Sequence, residues 1–248
     1  MTMQTVFLIV SFLIIAVIYS MVGLGGGTAY TAVMVLTGIS KTSIPVIALT
    51  CNLLVAGQGF YRFRKAGFFN WHLFWPFAVT SIPAAYFGGN LHLSDKSFGI
   101  IMATALILAA FRLVFWRHPP DGMNAVKGNY LPKMCLGLLL GFLAGITGIG
   151  GGVYLIPVLL LFRWSSVKEA SAVSALFILV NSLSGLAGQL SKGGFHDWRL
   201  LSPLLLVVII GGFFGSRAGA VRFKANSLQK IVGVILLLAA LRLIMGSL

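Results

Sequence analysis

Apolar residues run along this chain in long blocks, at about 5–38, 43–60, 71–90, 98–116, 134–162, 170–190, 199–217 and 228–247. Short polar or basic stretches separate them. Most blocks come close to the roughly 20 residues that carry a helix across a bilayer. The pattern predicts an all-α integral membrane protein. The first and fifth blocks are too long for one crossing, and each holds a glycine cluster: Gly23-Leu24-Gly25-Gly26-Gly27 and Gly148-Ile149-Gly150-Gly151-Gly152. Glycine runs favour left-handed backbone over continued helix, so both blocks predict glycine-hinged, re-entrant or broken helices.

The two clusters begin a longer correspondence. Ala66-Gly67-Phe68, with Trp71 and Pro76, matches Gly193-Gly194-Phe195, with Trp198 and Pro203. Near the ends, the run from Leu106 to Val114 matches that from Leu236 to Ile244. The expectation is a single membrane domain, 1–248, made of repeats at 1–118 and 131–248. A polar linker, 119–130, joins them and includes Pro119-Pro120-Asp121-Gly122.

Basic residues discriminate between topologies, because cytoplasmic loops collect Lys and Arg. If every block crossed once, the eighteen would divide ten to eight, with no bias. If the glycine clusters turn the chain back, thirteen fall on one side: Arg62, Arg64, Lys65, Arg112, Arg117, Lys127, Lys133, Arg163, Lys168, Arg217, Arg222, Lys224 and Lys230. Five remain on the other. The second division wins and leaves three net crossings per repeat. The halves are then expected to insert in opposite senses, as in many secondary transporters, with both termini outside the cytoplasm.

Composition agrees. The chain is 58% hydrophobic and 9% charged, with mean hydropathy +1.00, where a soluble domain carries roughly 25% charged residues. A soluble enzyme, a disordered chain and a disulfide-stapled secreted domain are excluded. The net charge of +14 fits loops facing anionic headgroups, so the expected partners are the bilayer and a small anionic substrate, and no nucleic acid. The sequence leaves room for a homodimer. The first block lacks a basic n-region and a small-x-small cleavage site, and is expected to be a membrane segment rather than a removable signal.

Candidate chemistry is sparse. Asp95, Asp121, Glu169 and Asp197, and likewise His72, His92, His118 and His196, fall in loops or at block ends. No metal-ligand spacing, nucleophile triad or phosphate loop is present, so neither metal, cofactor nor catalysis is expected. Irregular backbone at membrane depth must line protein or a wet cavity. Helix N-termini starting at Gly25-Gly26-Gly27-Thr28 and at Gly150-Gly151-Gly152 would offer an anion N–H groups and partial positive charge. Polar residues in apolar spans add Cys51, Asn52 and Gln58 in the second block, and Ser174, Asn181 and Ser182 in the sixth. Asn52 and Asn181 stand out because they recur in corresponding blocks. Interhelical hydrogen bonding is the alternative for any one of them. Cys51 is either a soft contact or reactive thiol, or an inert buried one. Cys135 reads as inert. Gly137, Gly141, Gly145 and Gly211, Gly215, Gly219 repeat every four residues, which is helix-packing spacing.

The doubled glycine motif, with Pro157 after its second copy and an Asn-containing helix after each, resembles the TauE/SafE family of sulfite exporters and sulfonate permeases. The similarity covers essentially the whole chain. The first copy departs from it, with Ala32-Val33 where the second has Pro157. The resemblance implies a cell-membrane permease moving small sulfur-containing anions, such as sulfite or organosulfonates, in either direction. Alternating access at the repeat interface is the expected mechanism. An anion channel, or a thiol protein handling sulfur species through Cys51, are the rival expectations.

Overall fold

Lipid offers no hydrogen-bond partners, so a chain this apolar must satisfy its backbone amides internally, as helix. The computed structural model describes residues 3–21, 24–115, 129–193, 195, 197–218 and 226–245. It contains α1 (Met3–Met21), α2 (Gly27–Thr37), α3 (Ser43–Lys65), α4 (Trp71–Asn90), α5 (Asp95–Phe115), α6 (Tyr130–Thr147), α7 (Gly152–Leu161), α8 (Val167–Ser191), α9 (Trp198–Ala218) and α10 (Asn226–Met245). Among the described residues there is no strand. Five helices are long and apolar enough to cross a membrane: α1, α3, α6, α8 and the Trp198–Arg217 stretch of α9. Gly23, Gly194, Gly219, His118, His196 and nearly all of the linker lie outside the described residues, as do Arg117, Lys127, Arg222 and Lys224.

The eight apolar blocks become ten helices because the first and fifth each break at their glycine cluster. Both breaks reverse the chain. Gln4 Nε2, at the start of α1, donates to the Thr37 carbonyl at the end of α2, at 2.6 Å. Between those points Phe12 stacks on Tyr30, and the hydroxyls of Tyr19 and Thr28 are 3.1 Å apart. In the other half, Lys133 Nζ at the start of α6 lies 5.1 Å from the ring of Trp164, just past α7.

Polar contacts gather the helix ends into two groups. At one end Lys41 Nζ donates to the Asp95 carbonyl, Ser43 to the Asp197 carboxylate, and Arg242 to the Leu36 carbonyl. These join the exit of α2 and the starts of α3, α5 and α9 to the last turn of α10. At the other end Asn70 Nδ2 donates to Glu169 Oε1 at 2.7 Å, Trp75 packs on Tyr130, and Lys168 covers the ring of Phe68. Arg62 and Arg217 both sit over Phe213 there. That group holds the ends of α3 and α9 and the starts of α4, α6 and α8.

The halves interlock rather than stand side by side. α4 packs on α6 and α8, α9 packs on α1 and α3, α3 packs on α8, and α5 packs on α10. The spaced glycines make this close approach possible. Gly137, Gly141 and Gly145 lie against the α4 backbone at Phe77, Ser81 and Ala85, where any Cβ would collide. Gly211 and Gly215 do the same against Leu13 and Val17 of α1. Packing is their role. Outward-facing Phe7, Ile14, Phe87, Leu206 and Phe214 leave a large apolar surface, which is stable only against hydrocarbon.

Candidate functional site

The two glycine breaks meet near the centre of the protein. Gly26, at φ 87°, caps α2, and Gly150 and Gly151, at φ 79° and 75°, lead into α7. Side chains other than glycine rarely take that conformation, so the sequence permits it here and at few other places. The first residues of α2 and α7 carry N–H groups that no intrahelical carbonyl can satisfy. Gly27 lies against the backbone of Ile149, so the two breaks touch: a Cβ on Gly27 would stand 2.7 Å from the Ile149 carbonyl oxygen.

Asn52, wholly buried in α3, fills the seam. Its amide would lie 2.6, 2.5 and 2.9 Å from a Cβ on Gly25, Gly27 and Gly150. Nδ2 donates to the Gly148 carbonyl at 3.2 Å, while Oδ1 has no partner within the protein. From α8, Ile178 presses on Gly25, Gly150 and Gly152, and Ser182 Oγ approaches Gly150. Ser174, whose carbonyl faces Gly152, and Ser182 are buried with hydroxyls lacking a partner. These hydroxyls are unspent donors. A buried unmade hydrogen bond costs about 1–3 kcal/mol. A ligand able to accept hydrogen bonds would recover that energy.

Of the residues expected at a site, Gly25, Gly26, Gly27, Asn52, Gly150, Gly151, Gly152, Ser174 and Ser182 come together. Thr28 is buried there too, with its hydroxyl against that of Tyr19. Cys51 is fully buried in the apolar core beside Asn52. The pairing of Asn52 with Asn181 needs correcting. Toward Gly152, Ile178 stands where Asn52 stands toward Gly27. Asn181 lies almost one turn further along and donates to its own helix at the Phe177 carbonyl, 2.8 Å away, leaving Oδ1 unpartnered. Both halves place a polar amide in that helix, but at different registers. Gln58 is also displaced from the seam. It sits between α3 and α9, where Nε2 donates to the Ile209 carbonyl and the side chain abuts Gly212.

Sequence reasoning missed Tyr30 and Thr31. Both hydroxyls are buried without a partner, and the Tyr30 ring covers Gly26. Four polar residues in the first turns after the glycines (Thr28, Tyr30, Thr31 and Tyr154) were a usable signal. Gln189 has a structural task instead: Nε2 donates to the carbonyls of Gly145 at 2.9 Å and Ile146 at 3.5 Å, capping the broken end of α6.

Among the described residues, no charged side chain enters this buried region. Lys133, the one buried charge among the described residues, lies at the helix ends between Tyr130 and Trp164. A polar, uncharged, glycine-built seam between two reversed helix pairs is the geometry to compare with known proteins. Residues 7–243 match the family model for the sulfite exporter TauE/SafE. The chain belongs to the TauE/SafE family. It is 30% identical to a probable membrane transporter protein, y4hK, of Sinorhizobium fredii, over 98% of this chain and all of that one. A probable membrane transporter protein of Methanocaldococcus jannaschii is 25% identical over 93% and 94% of the two chains. The probable membrane transporter protein YunE of Bacillus subtilis is 23% identical over 98% of each. No solved structure matches the chain. Family and fold together make this TauE/SafE protein a multi-pass membrane transporter of the cell membrane.

Proposed function

We propose that this transporter is a permease for small sulfur-containing anions, such as sulfite or organosulfonates, working by alternating access around the seam between its two glycine breaks. The observation that carries the reading is the set of buried hydroxyls of Tyr30, Thr31, Ser174 and Ser182 without partners, grouped with helix N-termini and free of fixed charge. Neutral donors and partial helix charge, about half an elementary charge per N-terminus, hold a single negative charge without trapping it. The family's sulfite exporter description supplies the substrate class.

The two halves insert in opposite senses in this reading. Each glycine hairpin returns to its own side, and the contacts described above gather the helix ends as such an arrangement requires. Arg62, Arg64, Lys65, Lys133, Arg163, Lys168 and Arg217 belong to the end that would face the cytoplasm. Lys41, Lys96, Lys192, Arg199 and Arg242 belong to the other.

Uptake of radiolabelled sulfite and a panel of sulfonates into proteoliposomes tests the proposal. Saturable uptake with mutual competition is expected. Linear, non-competing flux would make the protein a channel, and no flux of any sulfur anion would remove the substrate class. Reporter fusions at the loop Arg62–Lys65 are expected to read cytoplasmic, and those ahead of α1 and after α10 extracytoplasmic. The reverse at either would end the inverted arrangement.

A further inference from the structure

The end of the protein poor in basic residues nonetheless concentrates two of them in one hollow. A cavity of about 220 Å³ opens there, lined among others by Lys41, His92, Asp95, Gln189 and Lys192, with Pro45 and Ile146 in its wall. Lys192 is half-buried just past α8, and its ammonium reaches only Gln189 Oε1, at 3.4 Å, among the described residues. Burial lowers its pKa, because the charge sits partly out of water with no carboxylate beside it. Lys41 gives its ammonium to the Asp95 carbonyl rather than to a carboxylate, and Asp197 is held by Ser43. Asp95 is the one acid lining the hollow, against two lysines.

The cavity also lies directly above the seam. Pro45 in its wall packs on Gly148, where a Cβ would come within 2.6 Å of the proline Cα. The Gly148 carbonyl is the acceptor of Asn52. Gln189 ties Lys192 on one side to the carbonyls of Gly145 and Ile146 on the other. A single layer of residues thus separates an electropositive hollow from the buried donors.

We propose that this hollow is an anion-binding vestibule, in which Lys192 and Lys41 capture a small oxyanion or sulfonate on the extracytoplasmic side before it passes Pro45 and Gly148 to the seam. This rests on the permease reading for its transported substrate, but the capture of an anion stands on the hollow alone. A cleft with an excess of one sign of charge raises the local concentration of its counter-ion. Neutralising either lysine weakens capture and leaves the later conformational step intact.

Two measurements separate the vestibule from the permease. In a Cys135→Ala background, Leu93→Cys places a thiol on the cavity wall. Relative to their rates with a free thiol in solution, a methanethiosulfonate reagent carrying a sulfonate is expected to be favoured about tenfold over its trimethylammonium analogue. Lys192→Gln and Lys41→Gln should each collapse that ratio toward one, and sulfite, sulfate or methanesulfonate should slow the reaction. A normalised ratio of one in the unaltered cavity, or a ratio indifferent to both lysine variants, overturns the vestibule whatever is transported. In proteoliposomes, Lys192→Gln is expected to raise KM for sulfite presented to the extracytoplasmic face about threefold to tenfold, with kcat from that face unchanged. An anion-selective cavity in a protein that moves no sulfur anion would sustain the vestibule and remove the substrate class.

Discussion

The two glycine breaks look alike in sequence and differ in what closes them. The first, before α2, has one left-handed glycine among the described residues, Gly26, and is faced by the amide of Asn52 and the hydroxyl of Tyr30. The second, before α7, has three, at Gly148, Gly150 and Gly151, and is faced by Ile178 and the ring of Phe177 as well as by the Asn52 amide and the Ser182 hydroxyl. Asn52 serves both, since it belongs to the first half and hydrogen-bonds the carbonyl of Gly148 in the second. One amide therefore holds two reversed helix pairs together. Both breaks have buried, unpartnered polar groups near them, but the amide that bridges them comes from α3 alone.

The sharpest test of this asymmetry lies in the glycines. A Cβ on Gly27 meets the Ile149 backbone, which cannot move aside, whereas on Gly152 it meets the flexible end of Ile178. Gly27→Val is expected to abolish transport in protein that still inserts, and Gly152→Val to leave a measurable fraction. Uptake rates normalised to membrane-inserted protein decide this. Wild-type rates for both would make the glycines packing devices alone.

A smaller effect separates the asparagines. Asn52→Ala strands the buried Gly148 carbonyl and should cost about 1–3 kcal/mol, lowering both Tm and transport. Asn181→Ala removes a bond within one helix and should cost roughly 1 kcal/mol or less. Equal losses in thermal unfolding and uptake would show that the two halves share the seam evenly.

The hairpin ends should differ less again. Lys133 is buried between two aromatic rings, so Lys133→Gln is expected to lower stability by about 1–2 kcal/mol. The Gln4 bond to Thr37 is exposed, and Gln4→Ala should change Tm by less than an equivalent of about 1 kcal/mol. A larger loss at Gln4 would mean that the first hairpin, not the second, is the clamped one.

The faintest signal is at Cys51, whose place before Asn52 corresponds to that of Phe177 before Ile178. Exposed Cys135 should react first with a maleimide, and buried Cys51 only slowly, faster under turnover and more slowly with sulfite bound. A Cys51 that stays unlabelled during transport is packing and leaves the site.

Much of this protein was legible from its residues. Block length set the helices, because lipid tolerates little else. The glycine clusters marked the breaks, since few other residues accept φ near +80°. The four-residue glycine spacing marked which faces pack. What the sequence hid was register and company. Asn52 and Asn181 look equivalent in the apolar blocks, yet an offset of less than one turn sends one amide across the seam and the other back to its own helix. Gln58 looks like a lining residue and lies against α9. Tyr30 reads as an ordinary aromatic until its hydroxyl proves buried and unpaired. The vestibule was likewise invisible, because Lys41, His92 and Lys192 come from three separate connections. Local pattern determines what each segment must be, through solvation and backbone geometry. Which side chains share a space depends on how ten helices cross, and only the tertiary structure decides that.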